Sequence, residues 1–105
     1  MKKPLKKTIA RARQAKYLLR LYVNGSTLKS ERAVVNIERV CDEHLKGRYD
    51  LEVIDIHEQA NLARDEQIVA VPTLIKRLPA PLQRLVGDMS DLKNVLFGLD
   101  LRTRE

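Results

Sequence analysis

The most constraining feature of the sequence is an apolar segment, an amphipathic helical segment and a second apolar segment, in that order. "KYLLRLYV", residues 16–23, is apolar on both faces of an extended chain, which is typical of a central strand covered on both sides. "YDLEVIDI", residues 49–56, predicts a second strand. A strand, a long helix and a strand predict a βαβ unit with a right-handed crossover and two parallel strands.

The segment between these strands has the spacing of a helix. Thr27 is a suitable N-cap, and the helix is expected to run to about Lys46, where Gly47 can end it in the left-handed conformation. One apolar stripe recurs at steps of three and four residues and should face the core. Its members are Ala33, Val34, Ile37, Val40, Cys41 and Leu45.

The second half of the chain is less determined. Residues 61–67 predict a short helix, and residues 68–78 predict a strand interrupted by Pro72. "LQRLVGDMS" fits a strand that ends in a Gly-Asp turn, but it also fits a turn of helix. Ser90 is expected to cap a last helix, although "NVLFGLDL" also fits a strand. Periodicity does not decide short apolar runs, so both alternatives stay open.

Composition predicts one small domain with a basic arm. The chain has 105 residues, of which 44% are hydrophobic and 32% charged, as in a globular protein. Residues 1–20 hold eight basic and no acidic side chains, while the remainder holds 12 basic and 14 acidic ones. We expect a poorly ordered arm at residues 1–15 and a single domain at residues 16–105. Phosphate contact by the arm stays an alternative, but nucleic acid is not the partner that we expect.

Several function classes find no support in the sequence. "MKKPLKK" is not followed by an apolar segment, and residues 68–75 are too few to cross a bilayer, so we expect a cytoplasmic protein without a membrane partner. Cys41 is the one cysteine, which rules out an intrachain disulfide. His44 and His57 do not form a cluster of zinc ligands. We therefore expect no metal and no cofactor.

Pro72 lies inside the strand-like stretch "AVPTLIKRLPAP", residues 70–81. Proline gives no donor to a sheet ladder and belongs at an edge, a bulge or a strand start. With a helix before this strand, the element order is β-α-β-α-β-β-α, which is the thioredoxin topology. "AVPT" resembles the segment of that fold in which a cis proline begins the third strand.

The thiol of a thioredoxin is missing from the expected place. In thioredoxins the proline segment faces a CxxC motif at the start of the first helix, whereas this chain has "VNGSTLKS" at residues 23–30. A thiolate is the nucleophile in such chemistry. Cys41 lies deep in the helix on its apolar stripe, where we expect inert packing. We therefore expect no catalytic residue, with a thioredoxin-like oxidoreductase or a glutathione-using transferase as the alternative.

The whole pattern resembles the circadian-clock KaiB family. The resemblance covers roughly residues 17–101. The pieces that carry it are "LRLYVNGST", "SERAV", "LKGRYDLEVIDI", "VPTLIKRLPAP" and "LVGDMSDLKNVLFGLDL".

This resemblance implies an α/β protein with a thioredoxin-like KaiB fold, whose N-terminal half is βαβ and whose C-terminal half is metamorphic. It implies a non-catalytic protein that docks on the hexameric ATPase KaiC and modulates its phosphorylation or signalling. KaiA and a SasA-type kinase are further partners in cyanobacteria. The stored form is a homo-oligomer, a dimer or usually a tetramer, and the active form is a thioredoxin-like monomer.

The resemblance also assigns roles to individual residues. Gly98 and Asp100 match the "GLD" residues whose replacement favours the active fold in relatives. Pro72 joins them as a fold-switch residue, because isomerisation at an X-Pro bond is slow. Tyr17, Arg32 and Lys76 match residues on or near partner and subunit surfaces.

Three positions depart from the family pattern. Asp50 and Glu52 replace a small residue and a lysine on the edge that binds KaiC, and Gln67 replaces another lysine. Reversed charge at an interface changes partner choice. The sequence therefore predicts pairing with a divergent KaiC, as in a paralogue or a non-cyanobacterial KaiB that acts without KaiA in stress adaptation.

Overall fold

The computed structural model describes residues 16–101. The strands form one four-stranded sheet in the order β2-β1-β3-β4, and β1 is therefore an inner strand. The elements are β1 (Tyr17–Val23), α1 (Leu28–His44), β2 (Tyr49–Asp55), α2 (Ala60–Asp65), β3 (Thr73–Leu78), β4 (Gln83–Val86) and α3 (Leu92–Gly98).

The N-terminal half has the predicted βαβ arrangement. β1 and β2 are parallel, in a continuous register from Tyr17 opposite Tyr49 to Val23 opposite Asp55. The Thr27 side chain caps α1 by accepting a hydrogen bond from the Ser30 N–H at 3.3 Å. Gly47 has a φ of 76°, which is the left-handed conformation expected after the helix. The strand, cap and Gly47 predictions for this half are confirmed, but α1 ends at His44 instead of about Lys46.

Apolar side chains fill both faces of the sheet. α1 and α3 pack on one face, and the shorter α2 packs on the other with Leu62 and Ala63 against Tyr22, Ile54 and Ile75. The predicted α1 stripe lies in the larger cluster. Side chains from α3 join this cluster, so the C-terminal half completes a core that the N-terminal half begins.

The structure resolves the two open alternatives of the second half. Residues 83–86 form β4, antiparallel to β3, and the last segment is the helix α3. β3 is antiparallel to β1. The resulting order is the thioredoxin topology that the sequence predicted.

Three predicted boundaries in this half are wrong. β3 begins only at Thr73, because Pro72 has no N–H for the ladder, so residues 68–72 are not a strand. α2 ends at Asp65 instead of residue 67, and Gln67 has a φ of 56°. Asp91, and not Ser90, caps α3, because the Asp88 carboxylate accepts the Ser90 N–H in a preceding turn.

The predicted basic arm at residues 1–15 lies outside the described residues. The division into that arm and a domain at residues 16–105 therefore stays a prediction. Within the described stretch, no helix is both long and apolar enough to cross a membrane.

Candidate functional site

Four of the predicted site residues lie near the C-terminal end of α3. The Tyr17 hydroxyl donates a hydrogen bond to the Leu99 carbonyl at 2.8 Å, although 82 residues separate the two in sequence. The Lys76 Nζ lies 3.9 Å from an Asp100 carboxylate oxygen. Gly98 is the last residue of α3. We call Tyr17, Lys76, Gly98 and Asp100 the α3-end cluster.

Lys76 is the buried member of this cluster, with 1% of its surface exposed. Its Nζ donates hydrogen bonds to the Pro79 carbonyl at 2.5 Å and to the Pro81 carbonyl at 2.7 Å. A buried ammonium needs such partners, because an unpaired buried charge is costly. In this arrangement Lys76 therefore binds its own chain, and its predicted place on a partner surface stays a prediction.

Gly98 and Asp100 have different backbone constraints. A Cβ on Gly98 would lie 2.5 Å from the Leu85 Cδ2, so the tip of the Leu85 side chain would have to move. Asp100 has a φ of 62°, in the left-handed region that aspartate tolerates better than most residues. Burial, opposed by Arg48 and helped by Asp100, raises the pKa of Tyr17. Tyr17 is therefore a neutral hydrogen-bond donor at physiological pH.

Asp50 and Glu52 lie at a different place, on the edge strand β2. Both are exposed. An Asp50 carboxylate oxygen lies 3.3 Å from the Lys16 Nζ, and a Glu52 carboxylate oxygen lies 3.2 Å from the Arg20 Nε. Asp50 and Glu52 are therefore each paired with a base, which is the residue before β1 for Asp50 and a residue within β1 for Glu52.

Arg32 and Pro72 lie apart from both groups. Arg32 is exposed on α1. Hydrogen bonds from Ser90, helped by the charges of Arg32 and Lys29, hold the pKa of Asp88 below its usual range. Pro72 is fully buried, follows a cis Val71–Pro72 bond, and accepts the Gly87 N–H at 2.9 Å.

The loop between β1 and α1, from Asn24 to Thr27, lies where thioredoxins have their CxxC motif, and we call this loop the thioredoxin-like mouth. It carries no thiol. Instead, the His57 ring nitrogen Nε2 lies 2.7 Å from the Asn24 side-chain oxygen. Burial, with Asp42 and Glu38, raises the pKa of Cys41 to about 12. Among residues 16–101, no three His, Cys, Asp or Glu side chains are grouped so that they could hold a metal ion.

Two features of the structure were missed by sequence reasoning. A groove of about 350 Å³ lies between β4 and α3, and Phe97 beside it is 85% exposed. Glu66, just after α2, contacts Arg20, Tyr22 and Arg77. No local pattern marks Glu66, because each of these contacts crosses between elements.

The sequence is similar to a family of clock proteins. The model of the KaiB domain matches residues 20–101. The chain is 50% identical over 84 residues to "Circadian clock protein KaiB3" of Synechocystis, covering 80% of this chain and 82% of that protein. It is 42% identical over 102 residues to "Circadian clock oscillator protein KaiB" of Trichodesmium erythraeum, covering 97% of this chain and 90% of that protein.

Solved structures with the same fold are more distant in sequence. The N-terminal domain of Synechococcus elongatus SasA matches with a TM-score of 0.66 at 22% identity, covering 87% of this chain and 90% of that one. The Drosophila melanogaster thioredoxin Deadhead matches with a TM-score of 0.65 at 14% identity, covering 90% of both chains. At these identities the likeness establishes the thioredoxin-like fold.

Proposed function

The chain belongs to the KaiB family, and from this premise we propose that it is a non-catalytic regulatory protein that docks on a KaiC-type hexameric ATPase. Docking would modulate the phosphorylation or the signalling of that ATPase. The match of the KaiB domain to residues 20–101, nearly the whole described chain, is the observation that carries this proposal. We propose KaiA or a SasA-type kinase as a further partner where either is present, and the cytoplasm as the compartment.

The chemistry of the thioredoxin-like mouth supports a role without catalysis. Its loop, from Asn24 to Thr27, offers amide and hydroxyl groups in place of thiols. Cys41 is buried, and its pKa of about 12 keeps the thiol protonated at physiological pH. The alternative of a thioredoxin-like oxidoreductase that uses a protein thiol therefore has no available nucleophile among the described residues. Replacement of Cys41 by Ser should leave partner binding intact.

We propose that the thioredoxin-like arrangement is the one that binds the ATPase. In the stored homo-oligomer, a dimer or tetramer, the C-terminal half would be packed differently. Two such arrangements must differ by only a few kcal/mol. If the competent one were populated at about 1%, the apparent affinity would fall about a hundredfold. Pro72, Gly98 and Asp100 are the residues that we propose to influence this exchange.

The β2 edge is the part of the docking surface that we propose to select the partner. Asp50 and Glu52 are exposed there, and a partner with basic side chains opposite them would be favoured. The chain is 50% identical to a KaiB3 protein and 47% identical to KaiB proteins of Prochlorococcus, and we propose that it is a paralogue with a KaiC-type ATPase of its own. Tyr17, Arg32 and Lys76 remain proposed contributors to partner or subunit surfaces.

Native mass spectrometry of the chain mixed with a KaiC-type hexamer tests the proposal. We expect complexes heavier than the hexamer by whole copies of this chain. Deletion of residues 1–15 should preserve them. A ring that stays unoccupied over a range of protein concentrations would contradict the proposal.

Two variants test the finer claims in the same mixture. Glu52→Lys restores the charge sign of the family pattern and should shift preference towards a cyanobacterial KaiC. Gly98→Ala should change the binding rate, because alanine favours the helical conformation but displaces the Leu85 tip. Binding rates equal to those of the wild type would undo the proposed role of Gly98.

A further inference from the structure

Side chains from three strands converge on Glu66. Its carboxylate accepts hydrogen bonds from the Arg20 Nη1 at 3.2 Å, from the Tyr22 hydroxyl and from Arg77. The Arg84 Nη2 donates to the Glu66 main-chain carbonyl at 2.6 Å. Arg20 and Tyr22 belong to β1, Arg77 to β3 and Arg84 to β4. We call these five residues the Glu66 anchor.

The anchor is partly shielded from water. The side chain of Glu66 is 12% exposed, compared with 22% for Arg20 and 41% for Arg77. Charge-assisted hydrogen bonds are stronger than neutral ones, and they are less screened here than between fully exposed side chains. The Glu66 carboxylate therefore differs from the exposed acids of the β2 edge, whose ion pairs contribute little to stability.

Only the present arrangement of the elements assembles the anchor. The partners of Glu66 lie 46, 44, 11 and 18 residues away in sequence. α2 and β3 must each lie against β1, and β4 against β3, as they do here, or Glu66 loses partners. The anchor thus distinguishes this arrangement from any in which the C-terminal half is packed differently.

Besides the partly buried Leu62 and Ala63 that pack on the sheet, α2 has few features that would hold it in place. The helix spans six residues, has no side-chain cap and contains no fully buried residue. Helices this short are not stable by propensity alone. The Glu66 contacts directly after its last turn fix the end of α2 to the sheet.

We propose that the Glu66 anchor holds the C-terminal half in the thioredoxin-like arrangement and thereby sets the fraction of the chain that is competent to bind the ATPase. The role of the anchor in holding this arrangement rests on its contacts alone. Its effect on binding rests on the function proposed above, since the apparent affinity changes in proportion to the fraction of the chain that is competent to bind.

Glu66→Gln tests the anchor, because it keeps the shape of the side chain and removes its charge. The matched control is Glu58→Gln, an exposed carboxylate that precedes α2. Amide hydrogen exchange, followed by mass spectrometry without any partner, reports on each element. We expect β3 and β4 to exchange about tenfold faster or more in Glu66→Gln, as for the loss of hydrogen bonds to a charged group.

Exchange in α1 and β2 should be unchanged in Glu66→Gln, and Glu58→Gln should match the wild type throughout. Unchanged exchange of β3 and β4 in Glu66→Gln would overturn the anchor. If Glu66→Gln lost protection in α1 as well, the milder Arg77→Gln would decide. It should speed exchange in β3 and β4, and wild-type exchange would overturn the anchor.

The rate of association with the KaiC-type hexamer separates the claim that the anchor holds the arrangement from the claim that it sets binding competence. A slower association in Glu66→Gln alongside the faster exchange would support both. If exchange accelerates while association is unchanged, the claim about binding competence is wrong. If even the wild type does not bind the ring, the proposed function fails, but the exchange data still test the anchor.

Discussion

The two halves of the molecule are held together by different kinds of interaction. The N-terminal half, β1-α1-β2, has a 17-residue capped helix and seven consecutive parallel register pairs. The C-terminal half, from α2 to α3, has helices of six and seven residues and adds several polar contacts to its share of the apolar core. Two of these cross the fold, the Tyr17 hydroxyl bond to Leu99 and the Glu66 anchor, while the bonds of Lys76 to the Pro79 and Pro81 carbonyls are local to the β3–β4 connection.

The difference indicates which half can rearrange. Apolar burial along a long helix is tolerant of small displacements, because it has no fixed direction. Hydrogen bonds and ion pairs between distant residues form in one geometry and are lost together when an element moves. The C-terminal half is therefore expected to open as a unit while the N-terminal half stays folded.

Core truncation in each half should give the largest effect and the clearest contrast. Ile37 of α1 and Leu99 after α3 are both fully buried. Replacement of either by alanine should cost about 2–5 kcal/mol of unfolding free energy. Ile37→Ala should accelerate hydrogen exchange in all elements, while Leu99→Ala should accelerate it mainly in α3, β3 and β4. If both variants accelerated hydrogen exchange in the same set of elements, the two halves would not be separate units.

Lys76→Met tests the buried ammonium of the C-terminal half. The change leaves the Pro79 and Pro81 carbonyls without their donor, so it should lower the unfolding free energy by about 1–3 kcal/mol. Lys93→Met, at an exposed position on α3, is the matched control and should change little. Urea denaturation of both variants measures the difference. A Lys76→Met variant as stable as the wild type would show that Lys76 does not hold the β3–β4 connection.

Tyr17→Phe and Tyr49→Phe compare the halves through a single hydroxyl. The Tyr17 bond to the Leu99 carbonyl is buried, whereas the Tyr49 hydroxyl contacts Asp42 at the surface. Tyr17→Phe should cost about 1 kcal/mol, because it leaves a buried carbonyl unpaired. Tyr49→Phe should cost less, since water can replace the lost partner. Thermal melts of the two variants measure both losses of stability. A larger loss in Tyr49→Phe than in Tyr17→Phe would contradict the view that the Tyr17 hydroxyl holds the end of α3 in place.

Acidification should destabilise the C-terminal half before the N-terminal half. The expected change is smaller than those of the substitutions above. Burial raises the pKa of Glu66, but hydrogen bonds from Tyr22 and the charges of Arg77 and Arg20 outweigh it, and the pKa lies below its ordinary value of 4.5. A depressed folded-state pKa adds stability above the unfolded value, and that stability is lost as the pH falls below about 4.5.

NMR amide signals followed during acidification measure this loss. Signals of α2, β3 and β4 should change before those of α1. Asp88 also has a lowered pKa, so Glu66→Gln is the necessary comparison, and it should reduce the early change without abolishing it. Identical acid profiles for the wild type and Glu66→Gln would contradict the role of the carboxylate.

The same contrast explains what the sequence could predict. The strands, the Thr27 cap and the Gly47 helix end depend on near neighbours and on periodicity, which are visible in the sequence. The start of β3 depends on Pro72, which has no N–H for the ladder. The cap at Asp91 depends on which of several adjacent side chains accepts a backbone N–H of the helix. The Glu66 anchor depends on contacts between elements, which no local pattern records.

Hydrogen exchange by mass spectrometry, with and without a KaiC-type hexamer, tests the central claim most directly. For the free chain we predict two mass envelopes in peptides from residues 57–101 and one envelope in peptides from residues 17–55. Addition of the hexamer should leave only the more protected envelope in the C-terminal peptides. A single envelope in both halves, unchanged by the hexamer, would contradict the account.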